Sequence, residues 1–133
     1  MRLSPLPGST ILLAAAVALA ACGGGAGAAA PSVVPRGAVL MTSRNLFDPV
    51  EATVAKGDRL VFVSDSQYAL HILVPGTNAQ SVSEPGAPSF GGHAGTRVQP
   101  KGSWTSPPWA TVGVFPVTCT IHPAMNLTVR VVP

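Results

Sequence analysis

The sequence predicts an all-β fold, an antiparallel sandwich, and three observations carry that prediction. Apolar residues come in short β-rich runs, at 37–41, 51–55, 59–63, 70–74, 112–119 and 127–132. The runs are separated by Gly, Pro, Asn, Asp and Ser, the punctuation of strands joined by turns. From residue 36 onward, no segment keeps a helical apolar period for three turns.

The N-terminal stretch has a different character. Arg2 supplies a positive start, and residues 11–21 are eleven apolar residues in a row. Spanning a bilayer takes ~20 residues, so this run reads as the apolar core of an export signal, 1–21. It ends in Leu19-Ala20-Ala21-Cys22, which resembles the lipobox of bacterial lipoproteins. That resemblance implies cleavage before Cys22, lipidation of its thiol and a chain anchored to the cell-envelope membrane on its periplasmic or extracytoplasmic face. Ordinary signal cleavage, leaving Cys22 unmodified, is the alternative. Residues 22–35, rich in Gly, Ala and Pro and without charge, read as a lipidated Cys and flexible tether. The folded domain is expected over 36–133, enough for one modest core.

Composition excludes several function classes. Without Arg2 the chain carries seven Lys/Arg (8 − 1) against five Asp/Glu, a net charge of +2. It has no basic run, no aromatic-basic interleaving and no phosphate-cradling glycine loop, so nucleic acid and nucleotides are not expected partners. The two cysteines allow one disulfide, but a lipidated Cys22 leaves Cys119 alone. A lone thiol in an exported protein needs an occupant, and a metal ion is the simplest.

Within the domain, Lys56-Gly57-Asp58 reads as a turn between two strands. The segment 76–108, rich in Gly, Pro and Ser, reads as an extended connection with a short strand around 95–98. In the run 112–119 the period of two puts Phe115, Val117 and Cys119 on one face, with Pro116 and Thr118 on the other. Phe115 and Val117 belong in a core, so Cys119 points inward at a strand end. Pro116 donates no ladder hydrogen bond and belongs at an edge or an irregular point. Leu127, Val129 and Val131 alternate in the same way with Thr128 and Arg130. The intervening loop, 120–126, therefore hangs beside the inward thiol.

That loop carries the chemistry. Cys119-Thr120-Ile121-His122-Pro123-Ala124-Met125 offers a thiol, an imidazole and a thioether at offsets of three and three. Of the other histidines, His71 sits in the apolar run Ala69-Leu70-His71-Ile72-Leu73-Val74, whereas His93, in Gly91-Gly92-His93-Ala94, reads as a solvated loop residue. Two imidazoles, a thiolate and a weak axial thioether form the ligand set of a mononuclear type 1, or blue, copper centre. Taken singly, Cys119 reads as an inert buried thiol, His71 as a core histidine and Met125 as packing. Trp104 and Trp109 read as core or rim packing.

The pattern resembles the cupredoxins of the plastocyanin and azurin group. The resemblance rests on Phe47-Asp48-Pro49, Val54-Ala55-Lys56-Gly57-Asp58, Val61-Phe62-Val63, His71, and the stretch from Gly113-Val114-Phe115-Pro116-Val117-Thr118-Cys119 through Met125. The short Cys-x2-His-x2-Met loop, with Pro after the histidine, is most similar to that of amicyanin. This implies a Greek-key β-sandwich with His71, Cys119 and His122 as equatorial copper ligands and Met125 as the axial one. Three positions depart from the family pattern. Ile72 stands where the family has Asn, leaving only its backbone N–H to reach the Cys119 sulfur. Asn126-Leu127 replaces a glycine after the Met, and Val117 replaces an aromatic. These departures bear on loop rigidity and redox potential more than on copper binding.

The expected function is single-electron transfer by Cu(I)/Cu(II) cycling with redox partner proteins of the cell envelope, by a monomer. Copper delivery or buffering is the alternative, although Met1, Met41 and Met125 are the only methionines and form no Met-rich cluster. A multicopper oxidase or nitrite reductase needs further copper and a second domain, so no enzyme is expected. A dinuclear purple-copper site needs two loop cysteines, and there is one.

Overall fold

Period-two burial is the rule that builds the domain. The computed structural model describes residues 37–133; the stretches expected to be an export signal (1–21) and a lipidated Cys22 with its tether (22–35) fall outside the described residues. Ten strands follow in order: β1 (Ala38–Met41), β2 (Phe47–Asp48), β3 (Glu51–Ala55), β4 (Val61–Ser64), β5 (His71–Thr77), β6 (Gln80–Ser81), β7 (Thr96–Val98), β8 (Ser103–Thr105), β9 (Gly113–Cys119) and β10 (His122–Val132). Among the described residues one 3₁₀ turn, Gly92–Ala94, precedes β7. In β3, Ala52 and Val54 are buried while Glu51, Thr53 and Ala55 face out. In β4, Phe62 and Ser64 are the buried pair.

Two sheets result. One has the order β2-β1-β4-β8, and the other runs β3-β10-β9-β5, with β6 and β7 both added to β5. Most pairings are antiparallel, but β1 pairs with β4, and β3 with β10, in parallel. The sandwich expected from the sequence is therefore present with mixed sheets. Several strand boundaries differ from expectation. β5 continues to Thr77, through Pro75 and Gly76, and β10 reaches back to His122. The long connection is more ordered than its composition suggests, holding β6, β7 and β8. Gly76 allows β6 to fold back: its φ is +136°, and a Cβ there would collide with the carbonyl oxygen of Gln80. Pro116 lies at an edge, one of the two placements expected, in register with Thr128 of β10 but without a β5 partner. The β5–β9 ladder covers Leu73↔Cys119, Val74↔Thr118 and Pro75↔Val117 and stops before it.

The core lies between the sheets. Val39, Met41 and Phe62 from the first meet Leu73, Phe115, Val117, Leu127, Val129 and Val131 from the second. The connection contributes Phe90 and Trp109, whose ring centroids are 6.2 Å apart. Trp109 is fully buried and pinned at three points. Its N–H donates to the Asp58 carbonyl, its carbonyl accepts from Gly57 N–H, and its indole Nε1 donates to Ser106 Oγ at 3.1 Å. Ser106 Oγ also accepts from Leu60 N–H. Ser106→Ala would leave two buried donors unpaired, at about 1–3 kcal/mol for each buried group. Urea denaturation should show a lower midpoint with unchanged slope; an unchanged midpoint would mean that water or another acceptor replaces the hydroxyl.

Candidate metal centre

Register and parity bring three side chains to one point. Cys119 closes β9 and pairs with Leu73 of β5, so both face the core. His71 lies two residues before Leu73, on the same inward face and beyond the end of β9. Across the other edge of β9, Cys119 pairs directly with His122, after the two-residue turn Thr120-Ile121. The ligand atoms of His71, Cys119 and His122 all lie within 4.8 Å of one another. Cys119 Sγ is 3.4 Å from His122 Nδ1, and the two imidazole centroids are 5.2 Å apart. This group can hold one metal ion.

The polar groups around the cluster show what it lacks. His71 is fully buried, yet neither Nδ1 nor Nε2 has a hydrogen-bond partner among the described residues. A neutral imidazole carries one donor and one acceptor, and leaving either buried and unpaired is costly. Burial lowers the His71 pKa below 6.5, and the neighbouring His122 lowers it further. Burial also lowers that of His122. Both rings are thus neutral at neutral pH, the form that ligates metals.

The backbone holds the thiol from the β5 side. Ile72 N–H donates to Cys119 Sγ at 3.4 Å, and the Ile72 carbonyl accepts from Thr120 N–H at 2.9 Å. An apolar residue after His71 therefore retains the contact to sulfur through its main chain. Cys119 is fully buried, and no disulfide engages it among the described residues.

Met125 is fully buried beside these residues in sequence, within the stretch where the β9–β10 register slips between His122 and Asn126. Its carbonyl accepts from Thr118 Oγ1 at 3.0 Å. His93 lies exposed in the 3₁₀ turn and is not part of the cluster. Trp109 is core, and Trp104 is half-buried against it. Sequence reasoning missed the polar contacts behind the loop, from Asn126 to Asn78 and from Thr118 to Ala79. Their signal is faint: a polar pair separated by 48 positions, and an Asn-Ala dipeptide at a strand break.

No family model and no curated protein sequence matches the chain. Solved structures do. A Cu(I) amicyanin variant superposes with a TM-score of 0.54 at 15% identity, covering 71% of this chain and 80% of its own. A purple cupredoxin from Nitrosopumilus maritimus gives 0.54 at 12% identity, covering 72% and 99%. A copper-containing nitrite reductase from Thermus scotoductus gives 0.56 at 20%, covering 72% of this chain but only 22% of that enzyme. The chain thus has the cupredoxin β-sandwich fold.

Proposed function

We propose that this protein holds one copper ion as a type 1 centre and carries single electrons in the cell envelope. In this reading His71, Cys119 and His122 would hold the ion, and Met125 would supply a further, weaker donor. The observation that carries it is His71, a buried imidazole with neither nitrogen paired among the described residues, grouped with a buried thiol and a second neutral imidazole. The donor set of two nitrogens and one thiolate, with a methionine three residues after His122, suits copper. Bound there, copper supplies reversible one-electron exchange between Cu(I) and Cu(II).

The residues supply a fixed cage. His71 and Cys119 stand on hydrogen-bonded strands, which fix their backbone positions. Ile72 N–H stabilises negative charge on the sulfur. His122 is partly exposed at the turn, the natural point of contact with a partner. Deep burial of His71, Cys119 and Met125 favours a carrier over copper delivery, which requires ligands open to exchange. The test is titration of Cu(II) into the copper-free protein. An intense blue band that saturates at one equivalent supports the reading, and its absence overturns it.

Location and partners extend the proposal. Lipid on Cys22 would tether the domain to the envelope membrane, on its periplasmic or extracytoplasmic face. Incorporation of labelled palmitate should disappear in Cys22→Ser; label persisting there would place the anchor elsewhere. Ile121, Pro123 and Ala124 are exposed around the partly exposed His122, and no Asp, Glu, Lys or Arg occurs from 102 to 129. Electron transfer to a partner protein docking there should respond weakly to ionic strength, since screening acts on charges. A steep fall in rate with salt would move the docking site away from this surface.

A further inference from the structure

The turn between β5 and β6 reaches over the outer face of the second sheet, at the root of the ligand loop. Its tip residues, Asn78 and Ala79, both have positive φ, 52° and 64°, as a two-residue type I′ hairpin requires. Asn tolerates that region and Ala does so poorly, so contacts must hold the tip in place. They are specific. Asn78 N–H donates to Asn126 Oδ1 at 2.7 Å, and Asn126 Nδ2 donates back to Asn78 Oδ1 at 3.2 Å. Ala79 N–H donates to Thr118 Oγ1 at 3.1 Å. Under this cover Thr118, an outward position of β9, is fully buried.

The same two side chains grip the loop. Asn126 Nδ2 also donates to the Pro123 carbonyl at 3.1 Å, and Thr118 Oγ1 donates to the Met125 carbonyl at 3.0 Å. This is where the β9–β10 ladder lapses, since pairing jumps from His122↔Cys119 to Asn126↔Thr118. Pro123, Ala124 and Met125 therefore have no cross-strand pairing to fix them, yet they follow His122 directly and include Met125 itself. Ile72, on the other side of the site, has no polar side chain to offer.

We propose that Asn126, Asn78 and Thr118 form a latch that fixes the ligand loop from the outer face of the sheet, with Asn126 as a positioning residue for His122 and Met125. This rests on the copper reading above. The latch replaces the missing ladder bonds with side-chain bonds to two loop carbonyls and closes them against a strained turn. Because its asparagine arms lie near solvent, the latch acts on where the ligands stand more than on global stability.

The test uses the full chain with three variants. Asn126→Ala removes every arm of that side chain. Asn126→Asp keeps the acceptor for Asn78 N–H and loses the donor arms. Asn78→Gly keeps the positive φ and the N–H and loses only the Oδ1 acceptor. Copper release to excess chelator should accelerate roughly ten- to a hundredfold in Asn126→Ala, as for other residues that orient ligands. The Cu(II) hyperfine splitting should change with it, while melting of the copper-free protein changes far less. Asn126→Asp should lie between native and Asn126→Ala, and Asn78→Gly should show the smallest rise. If Asn126→Ala fails to fold, Asn78→Gly decides by the same readouts. Native release rate and splitting in the folded variants overturn the latch alone. A native protein that gives no blue band overturns the copper reading and the latch with it.

Discussion

Replacing Cys119 by serine is expected to abolish the blue absorption of the copper-loaded protein while leaving the fold intact. The intense colour of such a centre arises from charge transfer between thiolate sulfur and Cu(II), and a hydroxyl oxygen is too hard a donor to supply it. The site tolerates the change sterically, because serine is smaller and fits a fully buried position at a strand end. Ile72 N–H, which donates to the sulfur, remains near an acceptor. The expected cost to folding is therefore only about 1 kcal/mol. Met125→Leu is the companion variant: if Met125 is the weak donor proposed above, it should keep the colour and shift the potential, since the change removes the thioether and preserves volume. Visible spectra of the two variants at equal copper loading give the answer. Colour surviving in Cys119→Ser would remove this thiol from the centre.

How much of this was legible in the sequence depends on the range of the signal. The parity of Phe115, Val117 and Cys119 is a local pattern, and all three are buried as it predicts. The convergence of His71 with Cys119 and His122 was legible because a strand-end thiol, a loop imidazole beside it and an imidazole within an apolar run are all of metal-binding type. The limits of β5 were not. Pro75-Gly76 reads as a break, yet the Pro75 carbonyl still accepts from Val82 N–H and the strand carries on to Thr77. β8 has no apolar alternation of its own and exists through its pairing with β4, Phe62 opposite Trp104. The strand expected at 59–63 starts two residues later, because Leu60 binds Ser106 instead of entering the ladder.

The same distinction separates the metal cluster from its support. Ligand identity follows from chemistry, because few residue types bind copper. Support can come from any polar group that the fold happens to bring close. Asn126 looked like the loss of a flexible glycine, a change bearing on loop rigidity. Its side chain instead makes three hydrogen bonds, two of them to a residue 48 positions away. No local pattern encodes that contact. It exists because β5 overruns its expected end and returns through Asn78 and Ala79.

Metal loading is expected to raise the stability of the protein, and acid to take that gain away. An ion that binds only the folded state stabilises it by about 4 kcal/mol at a free concentration a thousandfold above Kd. Here the ion would also engage one of the two ring nitrogens of His71 that lack a partner among the described residues. The copper-free protein should itself be acid-sensitive. Unfolded histidines titrate near 6.5, while folded His71 and His122 titrate lower, chiefly through burial. Between those values the unfolded chain binds more protons, so stability falls as pH drops through about 6.5 and is insensitive to these groups well above it. Protons also compete with metal for both rings, so the increment from loading shrinks over the same range. Melting curves from about pH 8 to pH 5, with and without copper, measure both effects. His71→Gln should flatten the copper-free profile, because it removes the more deeply buried titrating ring. A copper-free protein that grows more stable in acid would show that the histidines gain a proton partner on folding. A melting temperature unmoved by copper would show that the cluster does not hold it.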